Sequence, residues 1–325
     1  MKELNILHAT NVKLGKYFPE FGVKGKDVRK IIREIFVTII KDEIQNRNID
    51  LLIITSNLFG VNMYSSADAT AAIDLFSEIE IPVLIMPGEL DEFNEISIYN
   101  KLDFSDNVYV FKDISDIYTL PGHDDVMFSV SKDPLSFNPG IKVVFKENDY
   151  EYGFYSSTGK FSETNNAVFT PSLSICEGEE HVMPGYTFVH LLTDGNTKAE
   201  FIRDNSINKN DIQIIVTKLR KRDLENTIRE HSGKYSILNI ELIGKIDSID
   251  VLSEVYKVYE RNKEDFLLLK IIDNTILSEE YIRSLPTHLE PAIFVNMVNE
   301  MMKSNPEKKE LYKNILKRGI YYYNT

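Results

Sequence analysis

Dense apolar runs punctuate the first ninety residues: Leu4 to Ala9, Ile49 to Thr55 and Ile81 to Pro87 each end in a polar loop. Their alternation is poor, as expected of strands covered on both faces of an α/β sheet. Between them the period changes. After Gly25, Val28, Ile31, Ile32, Ile35, Phe36, Ile39, Ile40 and Ile44 keep the i, i+3, i+4, i+7 spacing that lays one helical face on a core. Ala71, Ala72, Leu75, Phe76 and Ile79 predict a second helix, with Ser65 or Ser66 as its N-cap. Strand, helix, strand, helix, strand requires crossovers and a parallel sheet. The loops Asn11 to Gly15, Ser56 to Gly60 and Gly88 to Asp91 then converge on one rim, beyond the carboxyl ends of the strands, where such sheets bind ligands.

From about Val108 the strand-like segments shorten. Val108 to Phe111, Ile117 to Leu120, Val126 to Val130, Ile141 to Phe145, Tyr150 to Tyr155, Val168 to Phe169 and Thr187 to Thr193 are separated by Asp, Asn, Pro and Gly clusters. They predict a second sheet packed beside the first. Asp194-Gly195 marks a hairpin that returns through Ala199 to Ile202. Asp204 to Asn210 is the most linker-like stretch and sets a domain boundary. Beyond it the pattern predicts a small α/β cap. Its first helix carries Ile212, Ile215, Val216, Leu219, Leu224 and Ile228, and its first strand runs from Ser236 to Ile243, closed by Gly244. A helix through Val251, Leu252, Val255, Tyr256 and Tyr259 and a strand from Phe266 to Ile272 complete it. Ile293, Phe294, Met297, Val298, Met301 and Met302, then Leu311, Ile315, Leu316 and Ile320, predict a helical tail. The expected division is 1–203, 204–275 and 276–325.

At 325 residues and 43% hydrophobic content the chain can bury one large core or two unequal ones. A net charge of -13 makes the chain as a whole repel nucleic acid, so DNA contact needs a local basic face or a basic partner. One such face exists. Lys13, Lys16, Lys24, Lys26, Arg29, Lys30 and Arg33 cluster on the first strand-end loop and the start of the following helix, as a solvated face or a phosphate-binding patch. No apolar run approaches the ~18 residues of a bilayer span. Met1-Lys2-Glu3 leads straight into a strand with no secretory h-region, so a cytoplasmic location without membrane contact is expected. The lone Cys176 excludes an internal disulfide and any multi-cysteine metal site.

Taken together, the three loops resemble those of the calcineurin-like metallophosphoesterases, and within that superfamily the SbcD-type DNA repair exonucleases. Leu4 to Gly15 parallels their "ILHTSDWHLG", Asp50 to Gly60 their "DLVLIAGDLFD", and Ile81 to Asp91 their "IPVFVIPGNHD". Asp149 to Ser156 resembles "DYIALGHIH", and Met183 to Val189 with Glu200-Phe201-Ile202 resembles the run that closes the catalytic domain. The resemblance covers nearly the whole chain, to a helical end at Glu290 to Tyr323. It implies a two-sheet α/β sandwich of metallophosphoesterase type, an α/β cap and a helical tail.

In that family the three loops and later histidines hold two metals. Here Asn11 stands for the first Asp, Lys13 for the His, Asn57 for the bridging Asp, and Glu89 and Leu90 for the Asn-His pair. Phe154 and Ser156 stand where two further imidazoles would be, and Lys146-Glu147-Asn148 where another is expected. A two-metal hydrolase needs anionic and imidazole ligands to offset four positive charges and to make hydroxide from bound water near neutral pH. Amides, an ammonium and an alkyl group do not supply that. The expectation is that no metal binds, and that Lys13 either provides the charge a metal once gave, paired with Glu89 and hydrogen-bonded by Asn11 and Asn57, or simply points to water. Two function classes follow. One is a catalytically degenerate SbcD-like homologue acting as a binding or scaffolding subunit. The resemblance then supplies an SMC-like coiled-coil ATPase as partner through residues 290–323, with DNA held weakly by Lys16, Lys24, Lys26, Arg29 and Lys30, or a homodimer. The other is an active metal-dependent exonuclease or phosphoesterase using manganese or another divalent pair on non-standard ligands. Gly122-His123-Asp124-Asp125 mimics Gly-Asn-His-Asp but does not follow a parallel strand, and predicts a turn. His181 sits in an acidic loop, as a surface ion pair.

Overall fold

The computed structural model describes residues 3–61, 66–133, 139–146, 150–157, 159–173, 183–192, 197–218, 220–248, 250–284 and 290–323. Ser65, Glu147, Asn148, Asp149, Cys176, His181 and the Asp194-Gly195 turn lie outside the described residues. The chain divides into two compact units, Met1–Ser206 and Ile207–Thr325.

In chain order the first unit contains β1 (Glu3–Thr10), α1 (Gly25–Asn46), β2 (Leu51–Thr55), α2 (Ser66–Glu78), β3 (Val83–Met86) and β4 (Val108–Val110). Then follow β5 (Ile117–Leu120), β6 (His123–Lys132), β7 (Pro139–Phe145), β8 (Tyr150–Ser156), β9 (Ser162–Thr164), β10 (Ala167–Thr170), β11 (Gly185–Leu192) and β12 (Thr197–Arg203). The first sheet has the order β12-β11-β1-β2-β3-β4 and the second β5-β6-β7-β8-β10-β9. β1 to β4 are parallel, while β11 runs antiparallel to β1 and β12 antiparallel to β11. This is a mixed α/β architecture with two large mixed sheets, consistent with an α/β sandwich. β4, β11 and β12 belong to the first sheet, which corrects the expectation that they join the second. Ile6 faces Val189 in the register, so β1 is an interior strand flanked on both sides.

The poor alternation of β1, β2 and β3 has a direct cause. Leu7, Ala9, Leu52, Ile54, Val83 and Ile85 pack on Phe36 and Ile40 of α1 and on Ala72, Leu75 and Phe76 of α2. Their neighbours Leu4, Ile6, Leu51, Ile53 and Leu84 point the other way, into Val126, Phe128, Ile141, Val143 and Phe154 of the second sheet. Each such side chain withdrawn from water contributes about 1.5–3 kcal/mol, so both faces of these strands hold the layers together.

The second unit contains β13 (Asn208–Ile215), α3 (Lys221–Glu230), β14 (Gly233–Ile246), α4 (Asp250–Asn262), β15 (Phe266–Leu277), α5 (Glu279–Ser284), α6 (Glu290–Ser304) and α7 (Lys309–Tyr323). Its three strands form one parallel sheet in the order β13-β14-β15. Leu238, Ile240, Leu242 and Leu269 face a helical layer that includes Leu224, Ile228, Leu252 and Val255. Val295 and Val298 of α6 and Leu316 and Ile320 of α7 belong to the same cluster. The opposite sheet face mixes exposed Ile215, Ile272 and Ile276 with a polar cluster in which Gln213 Nε2 and Asn274 Nδ2 both donate to the Glu241 carboxylate, at 2.9 and 2.7 Å.

Two expectations fail here. Residues 208–215 form a strand, although a linker and then a helix were expected. Ile212 and Ile214 fit a period of two, and Ile215 is 54% exposed, so the helical spacing of Ile212, Ile215 and Val216 was coincidental. β14 also continues past Gly244, which adopts φ 103 within the strand, a conformation open to glycine. No helix among the described residues is long and apolar enough to cross a membrane.

Candidate functional site

The rim lies at the carboxyl ends of β1, β2 and β3. There the chain leaves its strands through four non-glycine residues with left-handed backbone: Asn11 (φ 49), Lys13 (φ 57), Ser56 (φ 60) and Asn57 (φ 51). Among the described residues no other non-glycine residue has positive φ. Asparagine tolerates this region, whereas lysine and serine are held there against about 1–2 kcal/mol each. What holds them is pairing between the loops. Asn11 N donates to Ser56 O at 2.8 Å, Lys13 N to Asn57 O at 2.9 Å and Leu14 N to Leu58 O at 2.9 Å, while Gly60 N returns to Leu14 O at 2.7 Å. The two loops thus extend the β1–β2 pairing beyond the strands.

The side chains continue the same closure. Asn57 Nδ2 donates to Asn11 Oδ1 at 2.7 Å, and Asn57 Oδ1 accepts from Leu90 N at 2.8 Å. Ser56 Oγ and Ser156 Oγ meet at 3.1 Å, and Ser172 Oγ donates to Asn11 O at 3.1 Å. Gly88 lets the third loop come this close, because a Cβ there would lie 2.6 Å from Asn57 N. Asp91 fixes that loop. Fully buried, it accepts from Gly88 N at 2.7 Å, Phe59 N at 2.9 Å and Tyr99 Oη at 2.7 Å. Burial nonetheless raises its pKa above the usual carboxylate value, against the lowering effect of those donors. The Tyr99 phenol is likewise raised by burial and by the Asp91 charge.

Below the rim, His8 is enclosed completely. Its Nε2 lies 2.9 Å from Thr55 Oγ1 and its Nδ1 2.8 Å from Thr170 Oγ1, which in turn lies 2.8 Å from Thr187 Oγ1. Desolvation lowers its pKa to about 3, so the imidazole is neutral and acts as a bridge between the two sheets. Phe154 packs edge-on against it with ring centroids 5.4 Å apart.

The residues singled out from the sequence are therefore distributed as follows. Asn11, Asn57 and Leu90 meet directly, and Ser156 reaches the rim through Ser56. Lys13 is only 8% exposed, whereas Glu89 is exposed. Phe154 is a core residue between the sheets. Lys16 lies 5.4 Å from the centre of the Phe18 ring, Lys24 and Arg29 are half-buried, and Lys26 and Lys30 are exposed. Lys30 pairs with Glu34 at 3.7 Å, one turn along α1. His123 opens β6 after the Gly122 turn. Asp91, Tyr99, Thr170 and Ser172 carry the closure of the rim and were not singled out. The signal for Asp91 was its place after a strand-end glycine; nothing local marked Thr170 or Ser172, which reach the rim from across the fold.

This donor set does not fit a pair of divalent cations. The Asn57 oxygen already accepts a backbone N–H and the Asn11 oxygen already accepts an amide hydrogen, both groups are neutral, and Lys13 adds a positive charge. Among the described residues no group of three or more His, Cys, Asp or Glu side chains is arranged to hold a metal ion. The chain matches no protein-family model and no curated protein.

Proposed function

We propose that this chain is a catalytically degenerate relative of the SbcD-type phosphoesterases, acting as a binding or scaffolding subunit in DNA repair. The observation that carries the proposal is the Asn57–Asn11 amide contact of 2.7 Å, closed on its other side by Leu90 N. At the positions where the resemblance expects anionic metal ligands, neutral amides bond to each other and to the backbone. The parallel β1–β2–β3 arrangement with three loops on one rim supports a phosphoesterase-type scaffold. For the partner, the proposal keeps an SMC-like coiled-coil ATPase met by residues 290–323, where Ile293, Met297 and Met301 expose an apolar stripe one turn apart on α6. DNA would rest on the Lys16 to Lys30 face with the partner's help, because the net charge of -13 opposes unaided binding.

The test is to incubate the full chain with excess manganese, remove free metal, and measure metal content together with hydrolysis of bis(p-nitrophenyl) phosphate. The proposal expects metal well below stoichiometric and no turnover above buffer. About two ions per chain with sustained turnover would establish the active, metal-dependent enzyme in its place.

A further inference from the structure

In the second unit a cleft of about 690 Å³ opens over β15 between α4 and α7. Leu252 and Tyr256 of α4 form one side, Ile315 and Arg318 of α7 the other, and Ile271 and Asp273 of β15 the floor. The volume lies within the ~300–1,000 Å³ of small-molecule sites. Its floor is built around an ion pair. Lys317 Nζ lies 3.0 Å from Asp273 Oδ1, with 7% and 15% of the two side chains exposed. The same ammonium donates to Asp273 O at 3.1 Å and Thr275 O at 2.9 Å, alternate carbonyls of an edge strand. All three of its hydrogens thus have acceptors within the protein. Thr275 adds its N–H and hydroxyl to Asp273 Oδ1, at 3.0 and 2.7 Å.

Lys317 is therefore taken up by the floor and presents no free hydrogen to the cleft. Arg318 is exposed at the cleft and makes no ion pair among the described residues. The local charge also reverses that of the whole chain: α7 carries Lys309, Lys313, Lys317 and Arg318 against Glu310 alone, in a protein of net charge -13. Aliphatic and aromatic walls, a floor closed by its own ion pair and a guanidinium with no ion pair among the described residues favour one chemistry. We infer that this cleft binds a small amphipathic organic anion, its apolar body between Tyr256 and Ile315 and its acid group on Arg318. The cleft belongs to the second unit and owes nothing to the rim, although α7 also falls within the 290–323 segment proposed above to meet a partner, and the experiment therefore uses the chain alone.

The experiment titrates the full chain with the aromatic sulfonate 8-anilinonaphthalene-1-sulfonate and follows fluorescence. One saturable site is expected. Arg318→Glu and Ile315→Glu each weaken it by about tenfold or more, whereas Lys245→Glu on β14, exposed and away from the cleft, leaves it unchanged. Both target side chains are exposed, and circular dichroism checks that the variants fold. Free dodecanoate is expected to displace the probe, while uncharged dodecanol and phosphatidylglycerol vesicles are not. Absence of binding up to about 1 mM, equal affinity in the Arg318 and Ile315 variants, or displacement by vesicles but not by free acid would each overturn the inference.

Discussion

Asp91, in the loop after β3 of the first unit, and Asp273, within β15 of the second, are both withdrawn from water, yet they are neutralised differently. Asp91 is enclosed completely and takes three donors, none of them a cation: two backbone N–H groups and the Tyr99 hydroxyl. Asp273 meets the Lys317 ammonium on the floor of an open cleft. Where neutral donors close around a carboxylate, as at the rim, the polar groups satisfy one another. Where an ion pair forms the floor of a cleft, as on β15, its members are taken up by each other and the neighbouring Arg318 stays exposed at the edge. The comparison teaches that the rim, which sequence resemblance makes the obvious site, is the more self-contained of the two regions.

The largest effect expected is at Asp91. Asp91→Ala leaves two buried N–H groups and a phenol without their acceptor and should lower stability by about 4 kcal/mol, read by urea denaturation. A loss under about 1 kcal/mol would mean that the third loop is held by something other than this carboxylate. Lys317→Met should follow, at about 3 kcal/mol, because it strands Asp273 and two edge carbonyls. A neutral or stabilising result would show that the ion pair is dispensable to the fold.

The next prediction concerns His8 and acid. With a folded pKa of about 3 and an ordinary value of 6.5, the unfolded chain takes up the proton first. The stability contributed by neutral His8 is therefore complete above pH 6.5 and is lost as pH falls toward 3, by roughly 1.4 kcal/mol per unit. Asp91, whose pKa is raised, acts in the opposite sense, so the comparison must be made against a variant that keeps it. His8→Gln should shrink the stability difference between about pH 6.5 and about pH 4.5 by roughly 2–3 kcal/mol. An unchanged pH dependence would remove His8 from the account. The smallest effect belongs to the basic face: Lys30→Ala should change stability by less than about 0.5 kcal/mol, since the Lys30–Glu34 pair is exposed on both sides. A larger loss in a thermal melt would mean that this face packs against something.

Much of this organisation was legible in the sequence, for identifiable reasons. α1 and β1 to β3 announce themselves because each is buried along a whole face or on both, so apolar period and structure coincide. β9 carries no such signal, as all three of its residues are exposed. The pattern in β13 was ambiguous, because Ile212, Ile214, Ile215 and Val216 satisfy two periods at once and only pairing with β14 decides between them. The membership of β11 in the first sheet depends on a partner some 180 positions away, which no local pattern encodes, and β12 follows through its local pairing with β11. At the rim, the replacement of charged ligand types by amides was visible in the residues themselves. Their closure on one another was not, because it requires the left-handed turns at Asn11, Lys13, Ser56 and Asn57 and the close approach of Gly88.

At the rim the polar groups bond to one another, and this donor set does not fit a pair of cations. The most direct test is anomalous diffraction from a crystal of the full chain equilibrated with manganese. No anomalous peak is expected among Asn11, Lys13, Asn57 and Glu89, with the Asn57–Asn11 hydrogen bond retained. Two peaks about 3.5–4 Å apart at that position would contradict it.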